Sequence, residues 1–143
     1  MSTHKLLNIY TDGGARGNPG PAAVGVVIKT ETQTLVTFAK TIGVATNNEA
    51  EYRGVIAALT WLAKRGVHAE KILFHLDSRL VVEQLSGRFK IKKGELKELL
   101  QQVKIFEHQI GDPIYYIQIP RAQNWQADIL LNQALDSSTT SSA

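Results

Sequence analysis

The hydrophobic period changes partway along this chain, and that change constrains the fold more than any other feature. Lys5 to Thr11 (KLLNIYT), Ala22 to Thr30 (AAVGVVIKT) and Thr34 to Ile42 read as strands, the second apolar enough to be buried on both faces. Short links between them suggest an antiparallel meander. From Asn48 to Arg65 the period becomes helical: Tyr52, Val55, Ile56, Leu59, Leu62 and Ala63 recur at steps of three and four, and Gly66 stops the run. Lys71 to Leu76 (KILFHL) reads as a fourth strand, closed by Asp77-Ser78. Ile114 to Ile119 (IYYIQI) reads as a fifth, ended by Pro120. Between these two, helical spacing is weak at Leu80, Val81 and Leu85 and clear at Leu96, Leu99, Leu100, Val103 and Phe106. It returns from Asn124 to Leu135.

The order β-β-β-α-β-α-α-β-α implies an α/β fold, a mixed five-stranded sheet with an antiparallel meander, two parallel strands and helices on its faces. A right-handed crossover through the long helix lays the fourth strand parallel to the first. Where connections from neighbouring parallel strands diverge, a ligand crevice opens at their carboxyl ends. With 143 residues the chain suits one core, so residues 1–136 are expected to form a single domain. Residues 137–143 (SSTTSSA) have little to bury and are expected to be a disordered tail.

Composition removes several chemistries. Cysteine is absent, which excludes disulfides, thiolate zinc sites and cysteine nucleophiles. No apolar run approaches the ~18–20 residues of a membrane helix, and Leu6-Leu7 is too short for a signal-peptide core. The expected location is therefore cytoplasmic, without membrane association. Sixteen Lys+Arg against thirteen Asp+Glu give a net charge of only +3, but the charges are unevenly placed. Arg79 to Lys104 holds seven Lys+Arg against three Glu, more surplus than the whole chain carries.

Four acids belong to the crevice such a sheet would open. Asp12 follows the first strand and Asp77 the fourth, so adjacent parallel strands would project both at one edge. Glu51 lies in the first turn of the long helix at the margin of its apolar face, and Asp128 lies four residues after Asn124 in the last helix. Singly, each has an ordinary structural explanation as a turn former, a cap or a partner of the helix dipole. Together they would repel one another unless a cation compensates. An all-oxygen donor set suits Mg²⁺ or Mn²⁺, and two such ions ~3.5–4 Å apart can activate water against a phosphodiester. The glycine-rich segment Asp12-Gly13-Gly14-Ala15-Arg16-Gly17-Asn18-Pro19-Gly20 has neither P-loop nor dinucleotide spacing. It reads either as a tight hairpin loop or as a close backbone approach to a polymer, with Asn18 available for hydrogen bonding.

Tyr10-Thr11-Asp12-Gly13 with Asn18-Pro19-Gly20, Thr46-Asn47-Asn48-Glu49-Ala50-Glu51, Asp77-Ser78 and Arg121 to Asp128 (RAQNWQAD) together resemble type 1 ribonuclease H over about residues 5–136, closest to its compact archaeal and bacterial branch. The resemblance implies an endoribonuclease that hydrolyses the RNA strand of RNA–DNA hybrids with little sequence preference, leaving 5′-phosphate and 3′-hydroxyl ends. It implies that Asp12, Glu51, Asp77 and Asp128 hold two Mg²⁺ ions, with Mn²⁺ as a substitute, Asp12 bridging and Glu51 close to a ribose 2′-hydroxyl. Asn18 and Asn48 would contact the minor groove of the hybrid, the chain from Gly13 and Gly14 to Gly17 would bring backbone near the RNA, and Thr46 and Asn47 would help grip the DNA strand. Ser78, beside Asp77, is both a capping residue and a candidate substrate contact. Such recognition suits the chemistry, because the 2′-hydroxyl distinguishes RNA from DNA while sugars and phosphates carry no base identity.

Two departures from the family pattern stand out. Better-known bacterial members carry a histidine in the loop before the last helix; here Ile119 to Gln123 has none, and Arg121 is either its functional substitute or an ordinary surface arginine. The basic protrusion of larger relatives is reduced to Arg88, Lys90, Lys92 and Lys93 with Phe89 and Ile91 interleaved, which reads either as a short extended segment tracking phosphates, the favoured reading, or as a solvated loop. His75 and Trp61 read as packed core residues and Trp125 as a cap on the core. Other nucleases built on this scaffold share the acids but lack the Asn-Pro-Gly and Thr-Asn-Asn elements. A silent binding module would be expected to lack a carboxylate. No protein partner is implied, and the expected state is a monomer.

Overall fold

Period-two alternation with both sides covered organises the sheet. Val24, Val26 and Ile28 are fully buried in the main core, whereas Ala23, from the alternate face, is buried with Leu131 and Leu135 in a separate cluster. The computed structural model describes residues 2–92 and 94–141. Its strands are β1 (Ser2–Ala15), β2 (Gly20–Lys29), β3 (Thr34–Ala45), β4 (Val67–Leu76) and β5 (Ile114–Gln118). Its helices are α1 (Asn47–Arg65), α2 (Arg79–Leu85), α3 (Gly94–Ile110) and α4 (Trp125–Ser141), the last preceded by a 3₁₀ turn over Arg121–Asn124.

The strands lie in the order β3-β2-β1-β4-β5. β1 pairs antiparallel with β2 and β2 with β3, while β1–β4 and β4–β5 are parallel, as the order of elements predicts. α1 packs on β1 and β2 and against α3, and α4 crosses β2, β3 and β1. Leu7 and Ile9 of β1 and Ile72, Phe74 and Leu76 of β4 join Tyr52, Val55, Leu59 and Leu62 of α1 in the main core. Full burial of one such side chain contributes about 1.5–3 kcal/mol, so this α1–sheet contact is a principal source of stability.

Gly66 ends α1 as the sequence predicts, at φ 61° with its N–H on the Leu62 carbonyl, while the start falls at Asn47, where Thr46 and Glu49 make a reciprocal capping box. Elsewhere the boundaries differ. Gly13–Ala15 are not loop: they pair with Ala22–Val24 and lengthen β1, leaving only residues 16–19 as the connection. β4 begins at Val67 rather than Lys71, since its first residues pair with the start of β1. α4 runs on to Ser141, so residues 137–141 continue the helix rather than forming the expected loose tail. Ser and Thr are poor helix formers, but extending a nucleated helix gains a hydrogen bond per residue. Residues 142 and 143 of that segment lie outside the described residues. Among the described residues no helix is long and apolar enough to cross a membrane.

Candidate active site

Close packing of two helix backbones on the sheet builds the site, and two glycines permit it. A Cβ on Gly13 would overlap the Ala50 carbonyl, so only glycine lets the first turn of α1 lie against the end of β1. A Cβ on Gly25 would likewise collide with the Ala127 carbonyl of α4. Gly25 pairs with Asp12 across β1 and β2, which seats α4 beside that carboxylate. The glycine inside the apolar run AAVGVVIKT is the sequence signal for this approach.

Asp12, Glu51 and Asp77 each offer a carboxylate oxygen, and the three oxygens lie within 4.8 Å of one another. Asp12 and Glu51 are buried and Asp77 is half-buried. Asp128 is outside that tight group but lines the same cleft, of about 340 Å³, and lies near enough for its charge to act on Asp12. Neutral donors orient the acids. The Gly13 N–H donates to Glu51 Oε1 at 2.5 Å. The buried Asn124 amide donates to Asp77 Oδ2 at 3.0 Å and to the Thr11 carbonyl at 2.9 Å. Asn132 donates to the Asp128 carbonyl at 2.9 Å and to its Oδ1 at 3.2 Å.

The cluster is electrostatically strained. Burial, then the charges of Asp77 and Asp128, push the Asp12 carboxyl up to about 7, against the opposing hydrogen bonds of Glu51 and Gly13. Burial also raises Glu51 well above the carboxylate range, with Asp12 adding to the effect. Acids whose carboxyls are both pushed upward by burial and by neighbouring carboxylates, among oxygen donors only, fit a hard divalent cation, which would favour their ionised form. Glu51 is deeper than the helix margin its spacing suggested, because Gly13 draws the α1 backbone onto β1.

Gly13, Gly14, Asn47, Asn48, Ser78 and Arg121 line the cleft with the four acids. Asn18 and Thr46 line a neighbouring groove of about 620 Å³, which Asn47 and Asn48 share. Several of these side chains already have structural duties. Thr46 caps α1, and Ser78 caps α2 by accepting from the Val81 N–H. Asn18 accepts from the Asn47 N–H at 3.0 Å, and Asn47 accepts from the Ala15 N–H at 3.0 Å, tying the 16–19 turn to α1. The Asn18 Oδ1 is thereby engaged within the protein.

Arg88 and Lys90 line neither cavity. Arg88 holds Glu83 with contacts of 2.6 and 3.1 Å, and Lys90 is exposed. The segment after α2 is a turn at Ser86–Gly87 followed by irregular chain rather than a regular extended segment, because Ile91 is pulled into the core. Lys93 lies outside the described residues. Trp125 is 57% exposed, not a cap on the core; Ala127 and Leu131 fill that side of α4 instead. His75 is packed as expected, stacked on Tyr10 and bonded to Asn8, and Trp61 packs partly buried on the main core. Sequence reasoning gave no side-chain role to Asn124, Asn132 or Arg16. Asn124 lies inside the RAQNWQAD motif and Arg16 inside the glycine-rich segment, whereas nothing local marks Asn132.

An acidic cluster at the carboxyl ends of two adjacent parallel strands, in a sheet of this order, defines the ribonuclease H-like class of fold. A family model described as reverse transcriptase-like matches residues 10–134. The bifunctional protein Rv2228c of Mycobacterium tuberculosis is 45% identical over 137 residues, covering 94% of this chain and 37% of that protein. Ribonuclease HI of Halobacterium salinarum is 41% identical over 132 residues, covering 91% of this chain and 64% of that one. Among solved structures, LC11-RNase H1 in complex with an RNA/DNA hybrid superposes with a TM-score of 0.88 at 39% identity, covering 93% of this chain and 99% of that one. The chain thus spans about a third of the first of these relatives and under two thirds of the second. It belongs to the type 1 ribonuclease H family within the reverse transcriptase-like domains.

Proposed function

We propose that the protein is a divalent-metal-dependent endoribonuclease that hydrolyses the RNA strand of RNA–DNA hybrids, leaving 5′-phosphate and 3′-hydroxyl ends. The observation that carries this reading is the meeting of the Asp12, Glu51 and Asp77 oxygens within 4.8 Å, with Asp128 on the same cleft. Asp12, Glu51 and Asp77 would hold one Mg²⁺, and Asp12 with Asp128 a second; Mn²⁺ has the same ligand preferences. Bound there, the ions would supply an activated water and offset charge on the leaving oxygen. The water oxygen bonds to phosphorus as the P–O3′ bond breaks, which leaves the phosphate on the 5′ side of the downstream fragment.

The rest of the work falls to the chain's own groups. Gly13 N–H and Asn124 fix the Glu51 and Asp77 oxygens before substrate arrives, so little reorganisation accompanies the reaction. Glu51, buried in the lining of the cleft, would meet a ribose 2′-hydroxyl. Asn47 and Asn48 on the cleft wall, with Asn18 and Thr46 in the adjoining groove, offer short polar groups to sugars and phosphates. Ser78 and Arg121 lie at the cleft, the arginine as a cation for the scissile phosphate. Lys90 and Arg88 add phosphate contacts beyond it, so affinity should fall steeply with salt.

Cleavage of end-labelled RNA–DNA hybrid, double-stranded RNA and single-stranded RNA, with Mg²⁺ or Mn²⁺, tests the reading beside Asp12→Asn and Asp77→Asn. Metal-dependent cutting of the hybrid's RNA strand, lost in both variants, is expected. Unchanged cleavage by either variant, or equal cutting of all three substrates, overturns it.

A further inference from the structure

Asp128 is the one acid of the four whose oxygens stand apart from the tight group, and a chain of side chains holds it there. Asn132, one helical turn further along α4, donates through Nδ2 to Asp128 Oδ1 at 3.2 Å and to the Asp128 carbonyl at 2.9 Å. On its other side Arg16 Nη2 lies 3.4 Å from both Asn132 Oδ1 and the Asn132 carbonyl. Arg16 in turn is anchored by Asp136, with Nη2 2.6 Å from Oδ1. Arg16 belongs to the turn between β1 and β2, and the other three to successive turns of one face of α4. Arg16 and Asn132 line the cleft.

The chemistry fixes which way this chain runs. An asparagine amide can be turned over with little change of shape, so its neighbours decide its orientation. A guanidinium only donates, which demands the amide oxygen on the Arg16 side. An ionised carboxylate only accepts, which demands the NH₂ on the Asp128 side. Both demands select the same orientation, and Arg16 withdraws electron density from the amide oxygen, strengthening its N–H donors.

We infer that Asn132, set by Arg16, is a positioning residue for Asp128: it pins Oδ1 to the helix and leaves Oδ2 for a second divalent ion. Repulsion from the neighbouring acids, felt between Asp12 and Asp128, would otherwise favour an untethered Asp128 side chain turned toward solvent. The tether is a neutral amide, so Asp128 keeps its full charge for the metal. The Arg16–Asp136 pair is exposed on both sides, and pairs of that kind contribute little to stability. Its effect is therefore readable at the site without loss of the fold.

This inference rests on Asp128 being a metal ligand, so the test separates the two ideas. MnCl₂ is titrated calorimetrically into the intact metal-free protein, and cleavage of the hybrid is followed against Mg²⁺ concentration. Asp128→Asn should abolish the weaker of two Mn²⁺ binding events. Asn132→Ala and Arg16→Ala should weaken that event about tenfold and raise the half-saturating Mg²⁺ by a similar factor, the usual effect of removing a group that orients a ligand. The tighter event, the KM for hybrid and the melting temperature should stay near those of the parent. Arg16→Lys, which keeps a cationic donor, should retain most of the parent affinity. The exchange Arg16→Asp with Asp136→Arg should not, because an aspartate at position 16 turns the amide over and aims its oxygen at Asp128. Recovery of parent affinity in that exchange means the pair is only a tether and overturns the inference. Parent-like Mn²⁺ binding in both alanine variants, while Asp128→Asn is impaired, also overturns it and leaves the proposed function standing. Parent-like binding and cleavage in Asp128→Asn removes the metal role of Asp128 and the inference together.

Discussion

Replacing Asp12 by Asn should stabilise the metal-free protein, and only above acid pH. Asp12 has an ordinary value of 3.8 and is pushed up to about 7 in the fold. Because the folded value is the higher one, the folded state binds the proton more tightly. The stability that this contributes is full below about pH 4 and is lost as pH rises through about 7. Roughly three pKa units at 1.36 kcal/mol each set an upper limit near 4 kcal/mol for the destabilisation that an ionised Asp12 imposes. Asparagine carries no charge to bury, but Glu51 stays buried beside Asp77 and keeps part of the strain. A gain of about 2 kcal/mol near pH 8 is therefore expected, shrinking toward zero near pH 4. Urea unfolding followed by circular dichroism in EDTA across this range measures it. Added Mg²⁺ should stabilise the parent by mass action and the variant much less. A difference that is flat with pH, or that grows toward acid, would refute the reasoning.

Asn124→Ala removes the donor to Asp77 and to the Thr11 carbonyl in a buried setting. It should cost about 1–3 kcal/mol in thermal unfolding and slow hybrid cleavage while leaving KM nearly unchanged. Gly13→Ala should disturb both fold and site, since the new methyl meets the Ala50 backbone rather than a side chain able to move. A loss of about 1–3 kcal/mol with reduced metal affinity is expected; a parent-like melting curve would contradict the packing. Arg121→Ala removes an exposed cleft cation and should lower kcat with the melting temperature unchanged. Parent-like turnover would exclude the arginine from the reaction.

What could be read from sequence was what repeats locally or pairs over short distances. The alternating and helical periods gave every strand and the four helices, since burial acts on each face of each element in the same way along its length. The stop at Gly66 was equally legible. The end of β1 was not, because glycines at 13 and 14 signal a turn locally, while their pairing with Ala22–Val24 depends on a partner strand. Trp125 misled for a related reason: its place in α4 follows the helix period, but which side faces the sheet is set by Gly25 admitting Ala127. The four acids could be named from position and motif. The family resemblance also set Asp128 apart from the other three; their actual spacing was not legible, because it depends on how closely α1 and α4 approach the sheet. The roles of Arg16 and Asn132, 116 residues apart, exist only in the folded chain.

The kind of partner each acid has explains why the site can both fold and function. Among the described residues, the ion pairs are Arg16–Asp136, His68–Asp112, Arg88–Glu83 and Lys104–Glu107, and none involves Asp12, Glu51, Asp77 or Asp128. Glu51, Asp77 and Asp128 are oriented instead by a backbone N–H and by two asparagine amides. A lysine or arginine bonded directly to them would hold them ionised and relieve their repulsion, yielding a more stable metal-free protein. It would also cancel the charge that attracts a divalent cation and occupy the oxygens that ligate it. Neutral donors fix direction without neutralising, so the repulsion remains as a cost to the metal-free protein and as part of the driving force for binding a cation. Arg16 follows the same logic at one remove: its charge faces Asp136 and reaches Asp128 only through the Asn132 amide. On this reasoning, a cation introduced next to Asp12 would raise stability in EDTA and lower metal affinity, the opposite signs arising from one electrostatic interaction.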